Sequence, residues 1–216
     1  MFNGRRIRQM EDGEFQIDMQ KFVEERLSEV PLEKGRASQK KEMATPQEKS
    51  LARATCGALN WLSKEGRPDA SGPSSLMSAR LCDLKVEDIQ AMNEVVRNLK
   101  KNPALAVRVQ PLKEMMLSVV SDASFGNDNL RSQGGQMIIS HEKGLQENRE
   151  VRANLLWWRS GRIHRVVNST LAAETQSLSR GLGGLLWILV LRLFDQRVAY
   201  ETEWQGGDRH SVEKLI

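Results

Sequence analysis

Two short stretches, Leu117-Ser-Val-Val-Ser-Asp122 and Ser169-Thr-Leu-Ala-Ala-Glu174, decide how this chain is read. The first is a short β-branched run that closes on an acid, which predicts a strand with Asp122 at its end. The second opens a long apolar segment, with Asn168 or Ser169 as its N-cap and Glu174 in its first turn. Between them, Gly134 to His141 and Val151 to Arg159 read as two further strands bounded by polar turns, and Ile163, Arg165 and Val167 as a short extended segment. The helix is expected from about Thr170 to Phe194. Alternation from Val120 places Asp122 on the same sheet face as Val120. Leu178, Leu182, Leu185 and Leu189 form a stripe along the helix, and Glu174, four residues before Leu178, continues it. If that stripe packs on the sheet, Glu174 arrives beside Asp122.

Two carboxylates at close range repel, and one must take up a proton unless a cation neutralises both. Hard oxygen ligands with no His or Cys beside them favour Mg²⁺ or Mn²⁺ over zinc. On spacing alone, simpler accounts also serve. The helix dipole favours Glu in a first turn, and Asp before Ala-Ser-Phe-Gly is a common turn starter.

Upstream the pattern is helical. Arg6-Ile-Arg-Gln-Met and Glu14-Phe-Gln-Ile-Asp alternate around the turn Glu11-Asp-Gly13, and a helix from Gln20 carries Phe22, Val23 and Leu27 as far as Pro31. Residues 32–48, rich in Lys, Glu, Ser and Gln, read as an exposed loop. Its Lys34, Arg36, Lys40 and Lys41 suit either a nucleic-acid contact or a solvated charged surface diluted by Glu33 and Glu42. Thr45-Pro46-Gln-Glu48 starts a helix to about Ser63, with Leu51, Ala54, Thr55, Ala58, Leu59 and Leu62 as its expected buried stripe. Further helices are expected over 74–84 and from Val86, the latter with Ile89, Met92, Val95, Val96 and Leu99 at helical spacing. A short extended piece follows from Leu105 to Val109.

Composition restricts the function classes. Apolar residues are 39% of the 216, charged residues 28%, and the net charge is +4, a mild basic excess compatible with nucleic acid. Two isolated cysteines, Cys56 and Cys82, supply neither a zinc spacing nor a disulfide framework, so the chain reads as reduced and intracellular. The first 22 residues are too polar for a signal peptide. No apolar run reaches the about 20 residues a bilayer span needs. Gly181-Leu-Gly-Gly184 lies inside a helix, where close packing or a kink explains it better than a nucleotide loop. His141, His164 and His210 share no ligand spacing, and Met115 and Met116 are expected as core gap-fillers.

In their order, these motifs resemble the C-terminal end of a copia-type retrotransposon polyprotein. Ser121-Asp-Ala-Ser-Phe-Gly126 stands where that family's RNase H domain has Ser-Asp-Ala-Asp-Trp-Ala-Gly. Arg131-Ser-Gln-Gly-Gly135 stands for its Arg-Ser-Thr-Ser-Gly, Trp158-Arg-Ser160 for its Trp-Lys-Ser, and Ser169 to Glu174 for its Ser-Ser-Thr-Glu-Ala-Glu. Earlier, Gly57-Ala-Leu-Asn-Trp-Leu62, Arg67-Pro-Asp69 and Val95-Val-Arg-Asn-Leu-Lys100 resemble segments at the end of its reverse transcriptase. The likeness runs from about residue 5 to 195.

The resemblance implies Asp122 and Glu174 as metal-binding catalytic carboxylates, Mg²⁺ or Mn²⁺ as cofactor (two ions in a complete site), and hydrolysis of the RNA strand of an RNA·DNA hybrid. Arg131, Arg159, Arg162 and Arg165 are the candidate phosphate contacts, with ordinary surface charge as their alternative. Trp157 and Trp158 could stack on the nucleic acid, although at alternating strand positions one of them must be core. The chain also departs from the family. Ser124 replaces its second Asp and Ala172 the first Glu of its helix motif; for its third catalytic Asp, Asp208 is nearest by distance and Asp195 too early. The paired-Asp signature of polymerase catalysis is absent. The expected architecture is therefore α/β (α+β mixed): a mainly helical reverse-transcriptase-like remnant over 1–112, then a truncated RNase H-like domain over 113–216, a three-stranded antiparallel start plus a long helix. The alternative function is a catalytically inactive nucleic-acid-binding or degenerate mobile-element remnant.

Overall fold

The computed structural model describes residues 4–128, 131–147 and 149–206, which form two three-stranded antiparallel sheets and five α-helices, a mixed α/β fold. The first sheet has the order β1-β2-β3, from Arg6–Gln9, Phe15–Asp18 and Ala106–Val109. The first two strands are the expected hairpin. Its turn uses Gly13 at φ 82°, a left-handed conformation that favours glycine. The extended piece near Leu105 finds its partner in β2, with Val107 opposite Ile17.

Helix α1, Gln20–Glu25, stops well before Pro31. The cause lies in α4, Val86–Lys101. Asn93 takes the Val30 N–H and donates to the Val30 carbonyl, each at 2.8 Å. The stretch after Arg26 therefore crosses α4 with its backbone bonded to a side chain, and Leu27 and Val30 are buried on the way.

Helix α2, Pro46–Glu65, begins with the expected capping box: Thr45 Oγ1 accepts from Glu48 N, and Glu48 Oε2 accepts from Thr45 N at 2.8 Å. Its buried face differs from the expected stripe by about one residue. Ala52, Thr55, Cys56, Leu59 and Leu62 face inward, whereas Leu51 and Ala54 are exposed. Arg36 explains the rotation. It forms two 3.0 Å hydrogen bonds to Glu48 and draws that carboxylate to the buried side, so the inner face runs through Glu48, Ala52, Thr55, Leu59 and Leu62 at helical spacing. Lys34, Lys40 and Lys41 of the same loop are exposed.

Helix α3, Ser71–Arg80, starts three residues earlier than expected, directly after a short 3-10 turn held by the buried Arg67, which grips Asp69 with two nitrogens and donates to the Asn102 carbonyl. In α4, Ile89, Met92, Val96 and Leu99 meet Leu59, Leu62, Met19, Val23 and Leu27 in one core cluster.

The second sheet has the order β4-β5-β6, from Met116–Asp128, Arg131–His141 and Ala153–Arg162, each strand longer than its apolar kernel suggested. No strand forms over 163–167. Ile163 is buried and bonds Ser132 O at 2.9 Å, after which the chain turns into α5, Thr170–Gly206, which continues past Phe194 and through Asp195. Met115 is exposed, not a core gap-filler, because it precedes β4 outside both packed layers.

The seat of α5 corrects the leucine stripe. Ala173 and Ser177 are fully buried. A Cβ at Gly181 would stand 2.6 Å from Val119 Cγ1, and one at Gly184 would stand 3.1 Å from Ile138 Cδ1. The helix therefore meets the sheet along Ala173, Ser177, Gly181 and Gly184, which confirms close packing at the glycines. Leu178 and Leu182 are 44% and 47% exposed, and Leu189 is also exposed. Residues without bulk let the helix backbone lie close to the pleat, and leucine in those places would hold it off. No helix of the described residues is long and apolar enough to cross a membrane.

Candidate metal centre

The small-residue seat decides where Glu174 goes. Adjacent to the buried Ala173, it lies at the border of the packed face, and its Oε1 accepts the Ala123 N–H at 3.2 Å. Strand β4 is at the edge of its sheet. The carboxylate thus supplies the hydrogen bond that the Ala123 amide would take from a neighbouring strand. One turn further along α5, Ser177 Oγ donates to the Asp122 carbonyl at 2.9 Å and accepts from Gln136 Nε2 at 2.7 Å. The main chain at Asp122–Ala123 is therefore pinned to α5 at two points, with Glu174 and Ser177 on successive turns.

Register shows how Asp122 sits. It belongs to the cross-strand row Asp122, Gly135, Ser160, next to the row Val120, Met137, Trp158. Val119, in contact range of Gly181, belongs to the opposite face. Asp122 shares the Val120 face, as alternation required, but α5 covers the other one. The Asp122 side chain is exposed and that of Glu174 half-buried. The two acids thus approach the same edge segment from opposite sides of the sheet. Among the described residues no group of three or more His, Cys, Asp or Glu side chains could hold a metal ion. Asp208 lies outside the described residues, as does His210.

The candidate arginines whose side chains are described, Arg159, Arg162 and Arg165, do not form one patch. Arg159 lies in the row of Ser121 and Gln136, on the helix-facing side, and is exposed. Arg162 ends β6 in the row of Ser124 and Gln133, on the Asp122 face. Arg165 is exposed in the bend before α5, and the side chain of Arg131 lies outside the described residues. Arg180, which the sequence reading missed, donates to the Arg162 carbonyl at 3.0 Å and ties the end of β6 to α5.

Both tryptophans pack. The register shift at Ile138–Ile139 leaves Leu156 without a partner, Trp157 reaches the Gly184 backbone, and Trp158 Nε1 donates to Ser63 O at 2.6 Å. His141 is buried between Ser118 Oγ and the Glu142 carbonyl, each at 2.8 Å, as a structural histidine. Ser177 and Gln136 were legible only in part. Small residues at 173, 177, 181 and 184, spaced four, four and three apart, mark a close-packed helix face, and a polar one among them needs a partner.

No family model matches the chain, and no solved structure matches it. Over 150 residues, 64% of this chain, it is 25% identical to a transposon Ty5-1 protein of Saccharomyces cerevisiae. The matched part is 49% of that protein, so the chain spans about half the length of the curated relative. The similarity supports a mobile-element origin.

Proposed function

We propose that the chain derives from the RNase H region of a retrotransposon polyprotein and hydrolyses the RNA strand of RNA·DNA hybrids with a divalent metal. The observation that carries this reading is the Glu174 carboxylate bonded to the Ala123 amide, one residue from Asp122 on an open strand edge. The two acids border that edge from the two sides of the sheet, and a cation shared between them is the requirement that the substitutions below test. The donor set fits Mg²⁺ or Mn²⁺: carboxylate oxygens, with the three described acid-adjacent positions Ser121, Ala123 and Ser124 adding no soft ligand. When bound, such an ion stabilises the charge that develops on a phosphodiester and lowers the pKa of its water.

The chain's own part is positioning. Glu174 and Asp122 hold the ion, Ser177 and Gln136 fix the main chain between them, and Arg162 lies on the Asp122 face to meet phosphate. Selectivity for RNA would rest on its 2′-hydroxyls, not on base reading. In a Mg²⁺-dependent hybrid-cleavage assay the wild type cuts the RNA strand, and Asp122→Asn and Glu174→Gln each abolish cutting; cleavage retained by both variants defeats the reading. The second reading, nucleic-acid binding without cleavage, is favoured by Ser124 and Ala172 standing where the resembled motifs carry acids. Salt-sensitive hybrid binding with no Mg²⁺-dependent product identifies it.

A further inference from the structure

A cleft of about 730 Å³ opens where α2 and α3 face β6, well within the size range of small-ligand sites. Its two walls differ in chemistry. One carries Trp158 together with Leu155 and Val107, and the other carries side-chain hydroxyls from α3, including Ser71 and Ser75. Those hydroxyls already accept hydrogen bonds: Ser71 Oγ from Ser160 N at 3.0 Å and Ser75 Oγ from Gln133 Nε2 at 2.8 Å. Each hydroxyl proton remains to donate to something in the cleft. At the rim stands Lys64, exposed and in no ion pair among the described residues, whereas the rim acid Glu65 is paired with Arg5 at 3.1 Å. A planar apolar wall, donors opposite it and the Lys64 cation at the mouth suit a base, its sugar and its phosphate, in that order.

The cleft also communicates with Asp122. Ser160, on its lining, shares a cross-strand row with Gly135 and Asp122. A Cβ at Gly135 would meet nothing within 4 Å, whereas one at Gly134, on the opposite face, would stand 2.9 Å from Gln136 and 3.0 Å from Ser177. The strand is therefore closed on its helix side and open at Gly135. Two strand spacings, roughly 10 Å, separate Asp122 from Ser160 along this track. Beside it, Val120 and Met137 leave 44% and 43% of their surface exposed, an apolar floor for unpaired bases.

We propose that this cleft binds one nucleotide unit of a single nucleic-acid strand, which reaches the Asp122 edge across Gly135. The direction of the strand's approach rests on the function proposed above; binding in the cleft does not. Calorimetric titration tests it with AMP, with inorganic phosphate, and with a short single-stranded oligoribonucleotide, all without divalent metal. AMP is expected to bind where phosphate at the same concentration gives no saturable heat. Lys64→Glu, a change at an exposed position, should weaken AMP and the oligonucleotide by about tenfold. Gly135→Leu should weaken the oligonucleotide by about tenfold and leave AMP unchanged. Asp122→Asn should bind AMP as the wild type does. Absence of AMP binding, or AMP affinity unaltered in Lys64→Glu, overturns the cleft; oligonucleotide affinity unaltered in Gly135→Leu overturns the track. AMP binding without hybrid cleavage would sink the nuclease reading and leave the cleft standing, whereas hybrid cleavage with unaltered binding in Lys64→Glu would do the reverse.

Discussion

Helices α2 and α5 bury their faces in opposite ways. In α2 the large residues point inward: Leu59 and Leu62 are fully buried in the cluster with Ile89 and Met92. In α5 Leu178, Leu182, Leu186 and Leu189 are exposed, and Ala173, Ser177, Gly181 and Gly184 touch the sheet. A helix that packs among other helices interdigitates bulky side chains, whereas one pressed onto a pleated sheet gains by bringing its backbone close. Leucine periodicity therefore locates the core of the first region and mislocates the contact of the second. The mislocation matters for function, because the face that touches the sheet sets where Glu174 arrives.

Substitutions can break that contrast, and urea unfolding midpoints measure it. Leu59→Ala should show the largest effect, a loss of about 3–5 kcal/mol, since a buried leucine leaves both lost transfer energy and a cavity. Gly181→Val should cost about 2–3 kcal/mol by overpacking against Val119, where even a Cβ has no room. An effect at Gly181 no greater than that of an exposed position would mean that α5 does not lie close to the sheet.

Arg36→Met sharpens the comparison at the other helix start. Its hydrogen bond to Glu48 holds that carboxyl below the usual carboxylate range, against the opposing effect of burial. The unfolded chain thus binds the proton more readily than the folded one. The associated stability is present above the ordinary Glu value, about 4.3, and is lost as the pH falls through the lowered folded value. At neutral pH Arg36→Met should lower the unfolding midpoint, and the difference from wild type should shrink in acid below about pH 4. A difference that stays constant down to pH 3 would remove Glu48 from the account. The smallest effect belongs to Leu182→Ser, expected to stay within about 0.5 kcal/mol because that side chain faces outward.

The elements with local signals were legible. Thr45-Pro46 and Glu48 announce the capping box, Asp12-Gly13 the hairpin turn, and the β-branched run before Asp122 its strand. What escaped depends on distant partners. Asn93 straightens the chain at Val30 from 63 residues away, and Arg36 turns α2 by taking Glu48 inward. Of the candidate site, the acids and their arrival at one strand segment could be anticipated, but not the sheet face on which Asp122 lies relative to α5. That depends on which face of a glycine-bearing helix is buried, and Gly181 and Gly184 carry no hydrophobic signal to reveal it.

The proposed function requires that Glu174 and Asp122 share one cation at the open edge of β4. Titration of Mn²⁺ followed by electron paramagnetic resonance tests it most directly, on the wild type, Asp122→Asn and Glu174→Gln. The account predicts one saturable site in the wild type that each substitution abolishes, with Glu147→Gln as an unaffected control. Mn²⁺ binding of equal strength in all four proteins would contradict it.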